Sequence, residues 1–263
     1  MRLALGAERF PVNVEEAAFE VSRNRCADDP IVEIVPAALD GFEGMLAPRR
    51  GKGWRILYND TVTSSGRIRF TLAHEFGHYL MHRDPGRSPF ACSLRDMSDR
   101  SQGEAARERE ANEFAATWLM PLDDFRARLA EEHLPTPDDL SQCADAYGVS
   151  FMAASLRWLE YTSVSAMLIA SRDDFMLWAC SSRRALREQA FLRTRTEIIP
   201  MPEAALVSRS GTDTGWRSLE QPADVWFGRE CLEYSVSSDQ HDLQLTLLLL
   251  GERPDDASTD REG

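Results

Sequence analysis

Five residues, His74-Glu75-Phe76-Gly77-His78, carry the pattern H-E-x-x-H inside an apolar, helix-compatible run from Arg69 to His82. On a helix, positions four apart lie one turn apart on the same face. Two imidazoles so placed can bind one metal ion, and Glu75 beside the first can serve as a base toward a water on the ion's open side. A chance match on a structural helix is the plain alternative. Against it, three of the five histidines in the chain (His74, His78 and His82) fall within this one stretch. His82 lies one further turn along and reads as a helix-end or supporting residue, because three ligands from one straight helix strain the geometry.

A catalytic zinc takes three protein ligands and leaves one position open. The third comes from the segment Glu108-Arg109-Glu110-Ala111-Asn112-Glu113-Phe114-Ala115-Ala116, which is also helix-compatible. Glu108 and Asn112 share a face, so Glu108 can bind the ion while Asn112 orients a ligand histidine. Ala111 and Ala115 let a second helix approach the first closely. Glu104 and Glu110 compete with Glu108 for the ligand role, and Glu113 is a further candidate. By itself such a Glu/Arg run is an ordinary solvated helix face; the first motif's need for a partner gives it weight.

Together, His74 to His82 and Glu108 to Pro121, with the Phe114-Ala115 step and the closing Met120-Pro121, resemble the ImmA/IrrE metallopeptidase family. The strong match spans Arg55 to Pro121. The resemblance implies that Glu108 is the third ligand. It also implies zinc-dependent cleavage of a helix-turn-helix transcriptional repressor, which would induce a mobile element or a DNA-damage or desiccation response. The expected chemistry uses Zn2+, with Mn2+ as an alternative, since a His-His-Glu site accepts several divalent ions. Glu75 moves the proton. Tyr58 and Tyr79 are candidates, by proximity only, for contacting substrate.

The elements that must position these residues follow from pattern. Asn13–Cys26 reads as an amphipathic helix. Ile31–Val35, Phe42–Ala47 and Gly53–Tyr58 read as strands, the last two joined by a hairpin at Pro48–Gly53. A small sheet before the metal helix is the zincin layout, in which an edge strand holds the substrate chain extended. Trp54–Tyr58 is therefore expected beside the cleft. Ser64 or Ser65 caps the metal helix. Asp84–Gly103, rich in Pro, Gly, Ser and Arg, reads as an exposed loop.

Helices are expected at Leu122–Glu132, after a cap at Asp138 or Ser141, and after the turn Gly148-Val149-Ser150. The last pair resembles a helix-turn-helix. Its second helix begins Phe151-Met152-Ala153 and carries Arg157 as its lone basic residue, which favours a structural or protein-docking bundle over DNA reading. Further on, a hairpin around Arg172-Asp173-Asp174, a helix at Ser182–Arg193 and strands at Cys231–Ser237 and Asp242–Leu250 make an α+β region. By position alone it matches the GAF-like sensor domain of some IrrE-type proteins; it carries no ligand signature, and the plain reading is a small domain that completes a protein-protein surface.

The fold class expected is α+β: a zincin-like domain at 1–121, a helix-turn-helix-like region at 122–160, a C-terminal domain at 161–251 and a disordered tail at 252–263. The chain has 263 residues, is 43% hydrophobic and carries a formal charge of −13. Such acidity disfavours binding to bulk nucleic acid. Five scattered cysteines without a C-x-x-C pair suit a reducing cytosol, and no signal peptide or membrane span is expected. The partner expected is a protein substrate, the repressor. Two other classes remain open, a DNA-binding regulator with a structural metal and a non-catalytic antirepressor. A structural site has no need of a base at Glu75.

Overall fold

The computed structural model describes residues 9–49, 51–83, 90–92, 102–208, 215–238 and 243–252. Among them are seven α-helices and nine strands in two sheets, an α+β architecture. The chain divides into two compact units, one of residues 1–125 with 142–153 and one of 126–141 with 154–263. Contacts thus assign the 122–160 stretch partly to each unit, whereas the sequence pattern set it apart as a region of its own.

In the first unit, α1 (Val14–Arg25) starts where the Asn13 side chain accepts from the Glu16 N–H at 3.2 Å. Glutamates in its first turn and arginines in its last complement the helix dipole. Val14, Ala18 and Ser22, four apart, form its buried stripe. The Ser22 hydroxyl accepts from the Ile31 N–H at 3.1 Å and so ties α1 to β1 (Ile31–Ala37).

The sheet order is β1-β3-β2-β4, with β2 at Gly44–Pro48, β3 at Trp54–Asn59 and β4 at Phe90–Cys92. β1 runs parallel to β3, and the other pairs are antiparallel. The hairpin expected at 48–53 forms, closed by the Arg49 N–H on the Gly53 carbonyl at 2.9 Å. Two expectations need correction. β3 is hydrogen-bonded on both sides and cannot offer an edge to a substrate. The segment 84–103, read as a loop, contributes β4 to the sheet, and its last residues start a helix; the rest of it lies outside the described residues. Three residues are too few to show a strand period in sequence.

α2 (Ser65–Met81), capped by Ser64, is the central helix: every residue from Thr71 to Tyr79 is buried. It packs along α3 (Gln102–Leu119), whose Ala111 and Ala115 are fully buried. A Cβ on Gly77 would stand 2.9 Å from Phe114 Cδ1 and 3.4 Å from Ala111 Cα, so the helices approach closely because Gly77 has no side chain.

α4 (Leu122–Arg128) ends before the expected Glu132. α5 (Pro137–Tyr147) is capped by Thr136 rather than by Asp138 or Ser141: the Thr136 hydroxyl accepts from the Asp139 N–H while the Asp139 carboxylate accepts from the Thr136 N–H. This reciprocal pairing is a capping box, with Pro137 in the first helical position. α6 (Phe151–Leu159) follows the 148–150 turn.

The second unit carries a five-stranded antiparallel sheet of order β6-β5-β9-β8-β7, with β5 at Ala166–Arg172, β6 at Phe175–Ser181, β7 at Arg217–Gln221, β8 at Cys231–Ser238 and β9 at Leu243–Leu250. Asp173 and Asp174 both have positive φ, as a two-residue hairpin turn requires. β7, of mixed polar composition, was not foreseen. The helix expected over Ser182–Arg193 is only α7 (Arg183–Arg187). Buried Glu233 accepts from the Leu206 N–H, the Gln221 amide and the Trp226 indole, anchoring the loops over the sheet. The tail expected to be disordered lies, from residue 253 on, outside the described residues.

Candidate functional site

The histidine pair sits in the most protected part of the first unit. α2 is capped before it begins and enclosed on all sides, so His74, Glu75 and His78 are buried within a helix that has little freedom to move. The two imidazoles meet edge-on, their centroids 4.7 Å apart and their Nε2 atoms 3.0 Å apart. α3 brings Glu108 across. Its Oε2 lies 3.4 Å from His74 Nε2 and its Oε1 3.5 Å from His78 Nε2.

Metal–ligand bonds of about 2.0–2.2 Å in a tetrahedral site put neighbouring ligand atoms about 3.3–3.6 Å apart. The two histidine–glutamate separations match that spacing, and the two imidazole nitrogens stand somewhat closer. Among the described residues, His74, His78 and Glu108 form the single group of three such side chains whose ligand atoms converge, all within 4.8 Å of one another. The residues present therefore fit a divalent cation, and their N/N/O donor set suits zinc or manganese.

The electrostatics agree. Burial opposes a positive charge on His74, but the carboxylates of Glu108 and Glu75 and the Asn112 hydrogen bond outweigh it and raise its pKa. The site favours positive charge even where solvation is poor. His74 Nδ1 lies 2.9 Å from Asn112 Oδ1, so Asn112 orients that ring. Of the competing carboxylates, Glu110 is bonded to His82, while Glu104 and Glu113 are exposed.

Glu75 is fully buried and turns toward the sheet. A Cβ on Gly44, the first residue of β2, would stand 2.6 Å from Glu75 Oε1 and 2.6 Å from Thr71 Cγ2. The carboxylate thus occupies room that only a glycine leaves. The strand whose residue meets Glu75 is β2, and β3, with Trp54–Tyr58, also packs against α2. Tyr58 is placed on the relevant face: it pairs directly with Gly44, and directly opposed residues project to the same side of a sheet. Tyr79 faces elsewhere. Its hydroxyl donates to the Asp29 carbonyl at 2.8 Å, its ring lies under the Arg83 guanidinium, and burial raises its pKa.

Two features escaped sequence reasoning. Gly44 carries no periodicity and no chemistry of its own; a glycine opening a strand was the sole trace. The contact of His82 with His78, 2.9 Å between their Nδ1 atoms, follows the i, i+4 spacing, but its extension to Glu110 depends on how α3 packs.

Residues 27–159, half of the chain, match the model of peptidase family M78, described as the IrrE N-terminal-like domain. That span contains the three converging residues, Glu75 and Gly44. No curated protein matches the chain.

Proposed function

Because the chain belongs to peptidase family M78, we propose that it is a zinc-dependent endopeptidase that cuts a helix-turn-helix repressor at a specific site and so releases the genes that repressor silences. The convergence of His74, His78 and Glu108 beside a buried glutamate carries the reading. When bound there, a zinc or manganese ion would supply Lewis-acid polarisation of a peptide carbonyl and of the attacking water.

The chain's own residues do the rest. One carboxylate oxygen of Glu75 accepts a proton from the attacking water and then returns it to the leaving amine nitrogen, so acid and base roles fall to one carboxylate. The buried helix keeps the base from relaxing into bulk solvent. Tyr58, on the Gly44 face of the sheet, is the side chain placed to meet the substrate near the base. β2 is paired on both sides, as β3 is, so the edge on that side of the sheet that would receive an extended substrate is β4.

The C-terminal region keeps its GAF-like reading as a sensor that governs cleavage, supported by its single five-stranded antiparallel sheet. The helix pair α5–α6 is read as a docking element for the repressor rather than as a DNA reader, since the whole chain is acidic. No helix among the described residues is long and apolar enough to cross a membrane, and the expected place of action is the cytoplasm.

The test is intact-mass analysis of the repressor-like protein encoded nearest this gene, incubated with the zinc-loaded protein and with Glu75→Gln. One new cleavage made by the wild type alone supports a site-specific metallopeptidase. An uncut repressor that co-elutes with both forms favours an antirepressor acting by binding. A zinc-loaded wild type that cuts neither this repressor nor any other in a whole-proteome digest overturns the peptidase reading.

A further inference from the structure

Beyond the three converging ligand residues, the hydrogen bonding continues in one direction. His78 Nδ1 lies 2.9 Å from His82 Nδ1, and His82 Nε2 lies 2.8 Å from Glu110 Oε2. The His82 side chain is only 6% exposed, although its residue closes the helix as the C-cap of α2. A histidine at a helix end ordinarily turns to solvent. This one is folded back against the preceding turn and held from α3.

Chemistry fixes the polarity of the chain. His78 points its Nε2 at His74 and Glu108. A neutral imidazole that gives its Nε2 lone pair to a cation carries its proton on Nδ1. His78 Nδ1–H therefore donates, and His82 Nδ1 must accept. An accepting Nδ1 leaves the His82 proton on Nε2, where it donates to the Glu110 carboxylate. Each atom in the sequence has one role, and every role is met. His74 has a shorter arrangement, its Nδ1–H donating to the neutral amide oxygen of Asn112.

We propose that His82 and Glu110 are positioning residues for the metal, forming a His78–His82–Glu110 relay that holds the His78 ring in its ligating orientation and increases its donor strength. This rests on the metal reading of His74, His78 and Glu108. The relay also joins α2 to α3, the two helices that supply the ligands, so it helps hold Glu108 opposite the histidines. Glu110 is 60% exposed, and its share is correspondingly smaller than that of His82.

The experiment measures zinc affinity of the full chain by competition with a chromophoric chelator, for the wild type, His82→Phe, His82→Gln, Glu110→Gln and the His82→Phe/Glu110→Gln double variant. Loss of a hydrogen-bond partner behind a metal ligand typically weakens binding about 10- to 100-fold, and His82→Phe should fall in that range. His82→Gln, whose amide oxygen can accept from His78, should recover part of the loss. Glu110→Gln alone should weaken binding by a smaller factor, and it should add nothing once His82 is Phe. X-ray absorption of the zinc-loaded wild type should count two imidazoles at the metal. Equal affinity for wild type and His82→Phe, full additivity in the double variant, or a third imidazole on zinc would each overturn the relay while leaving the metal site standing. A wild type that takes up no zinc overturns the metal reading and the relay with it. Melting temperatures of the metal-free variants show whether each has folded, and His82→Gln keeps the test usable if His82→Phe has not.

Discussion

Gly44→Ala tests whether the Glu75 carboxylate owes its place to a missing side chain. The added methyl would stand 2.6 Å from Glu75 Oε1, 2.6 Å from Thr71 Cγ2 and 3.0 Å from Glu75 Cγ. Ordinary contact between such atoms lies near 3.5 Å, so the carboxylate and the threonine methyl must together retreat by about 1 Å. Thr71 and Glu75 are one turn apart on α2, a helix buried throughout this stretch. The face cannot rotate away from β2 without moving His74 and His78. The easiest response is a rotamer change at Glu75. A misplacement of about 1 Å in a catalytic group costs on the order of 100-fold in rate, and overpacking a core costs about 1–3 kcal/mol of stability. Glu75 is not among the converging ligands, so zinc affinity should change by no more than a few-fold. Steady-state cleavage of whichever repressor the wild type cuts, chelator competition and thermal melting give the three quantities. Gly103→Ala is the control, since its Cβ meets nothing within 4 Å. A Gly44→Ala protein that melts lower yet retains kcat within a few-fold would refute the reasoning, because the carboxylate would then work from another position.

Three more outcomes follow from the same structure. Gly77→Ala puts a methyl 2.9 Å from Phe114 Cδ1 and pushes α3 outward; overpacking of about 1–3 kcal/mol should exceed the roughly 1 kcal/mol gained in helix propensity, and both melting temperature and zinc affinity should drop. In the second unit, burial works against the charge on Glu188, but hydrogen bonds from Ser165, Arg184 and Arg229 prevail and lower its pKa to about 2 from 4.5. A folded pKa below the unfolded one adds stability above about pH 4.5, here about 3 kcal/mol, which is lost as pH falls toward 2. Glu188→Gln should therefore be less stable than wild type in urea at pH 7, with the gap closing between pH 4.5 and 2; a gap that does not change with pH would contradict the assignment. Burial pushes the Cys231 thiol up to about 12, so iodoacetamide at pH 8 should label it only after unfolding, as read by peptide mass analysis.

The chemistry of this protein was legible wherever it is local in sequence. His74, Glu75 and His78 need only the 3.6-residue period of one helix to share a face, and Asn112 stands four residues after Glu108 for the same reason. The Asp173-Asp174 hairpin turn was readable from its own residues, and the cap of α2 was narrowed to Ser64 or Ser65, of which Ser64 serves. Where competing polar residues lie side by side, they were not: Thr136 rather than Asp138 caps α5 because the pairing with Asp139 is reciprocal, which depends on backbone geometry.

What tertiary structure alone decided is the distance between elements. Which of Glu104, Glu108, Glu110 and Glu113 meets the histidines is set by the rotation of α3 about its axis, fixed in turn by Ala111 and Phe114 packing on Gly77. The β2–β3 hairpin was readable from its turn, but the parallel pairing of β1 with β3 and the pairing of β4 with β2 are long-range and leave no trace in the local pattern of the strands. The histidine pair and its glutamate are legible in sequence because one helical turn is a local, rigid object. The room left at Gly44 and the partner found by His82 arise only when separate elements pack, because contact between distant residues is selected by the fit of the whole core rather than by their neighbours in the chain.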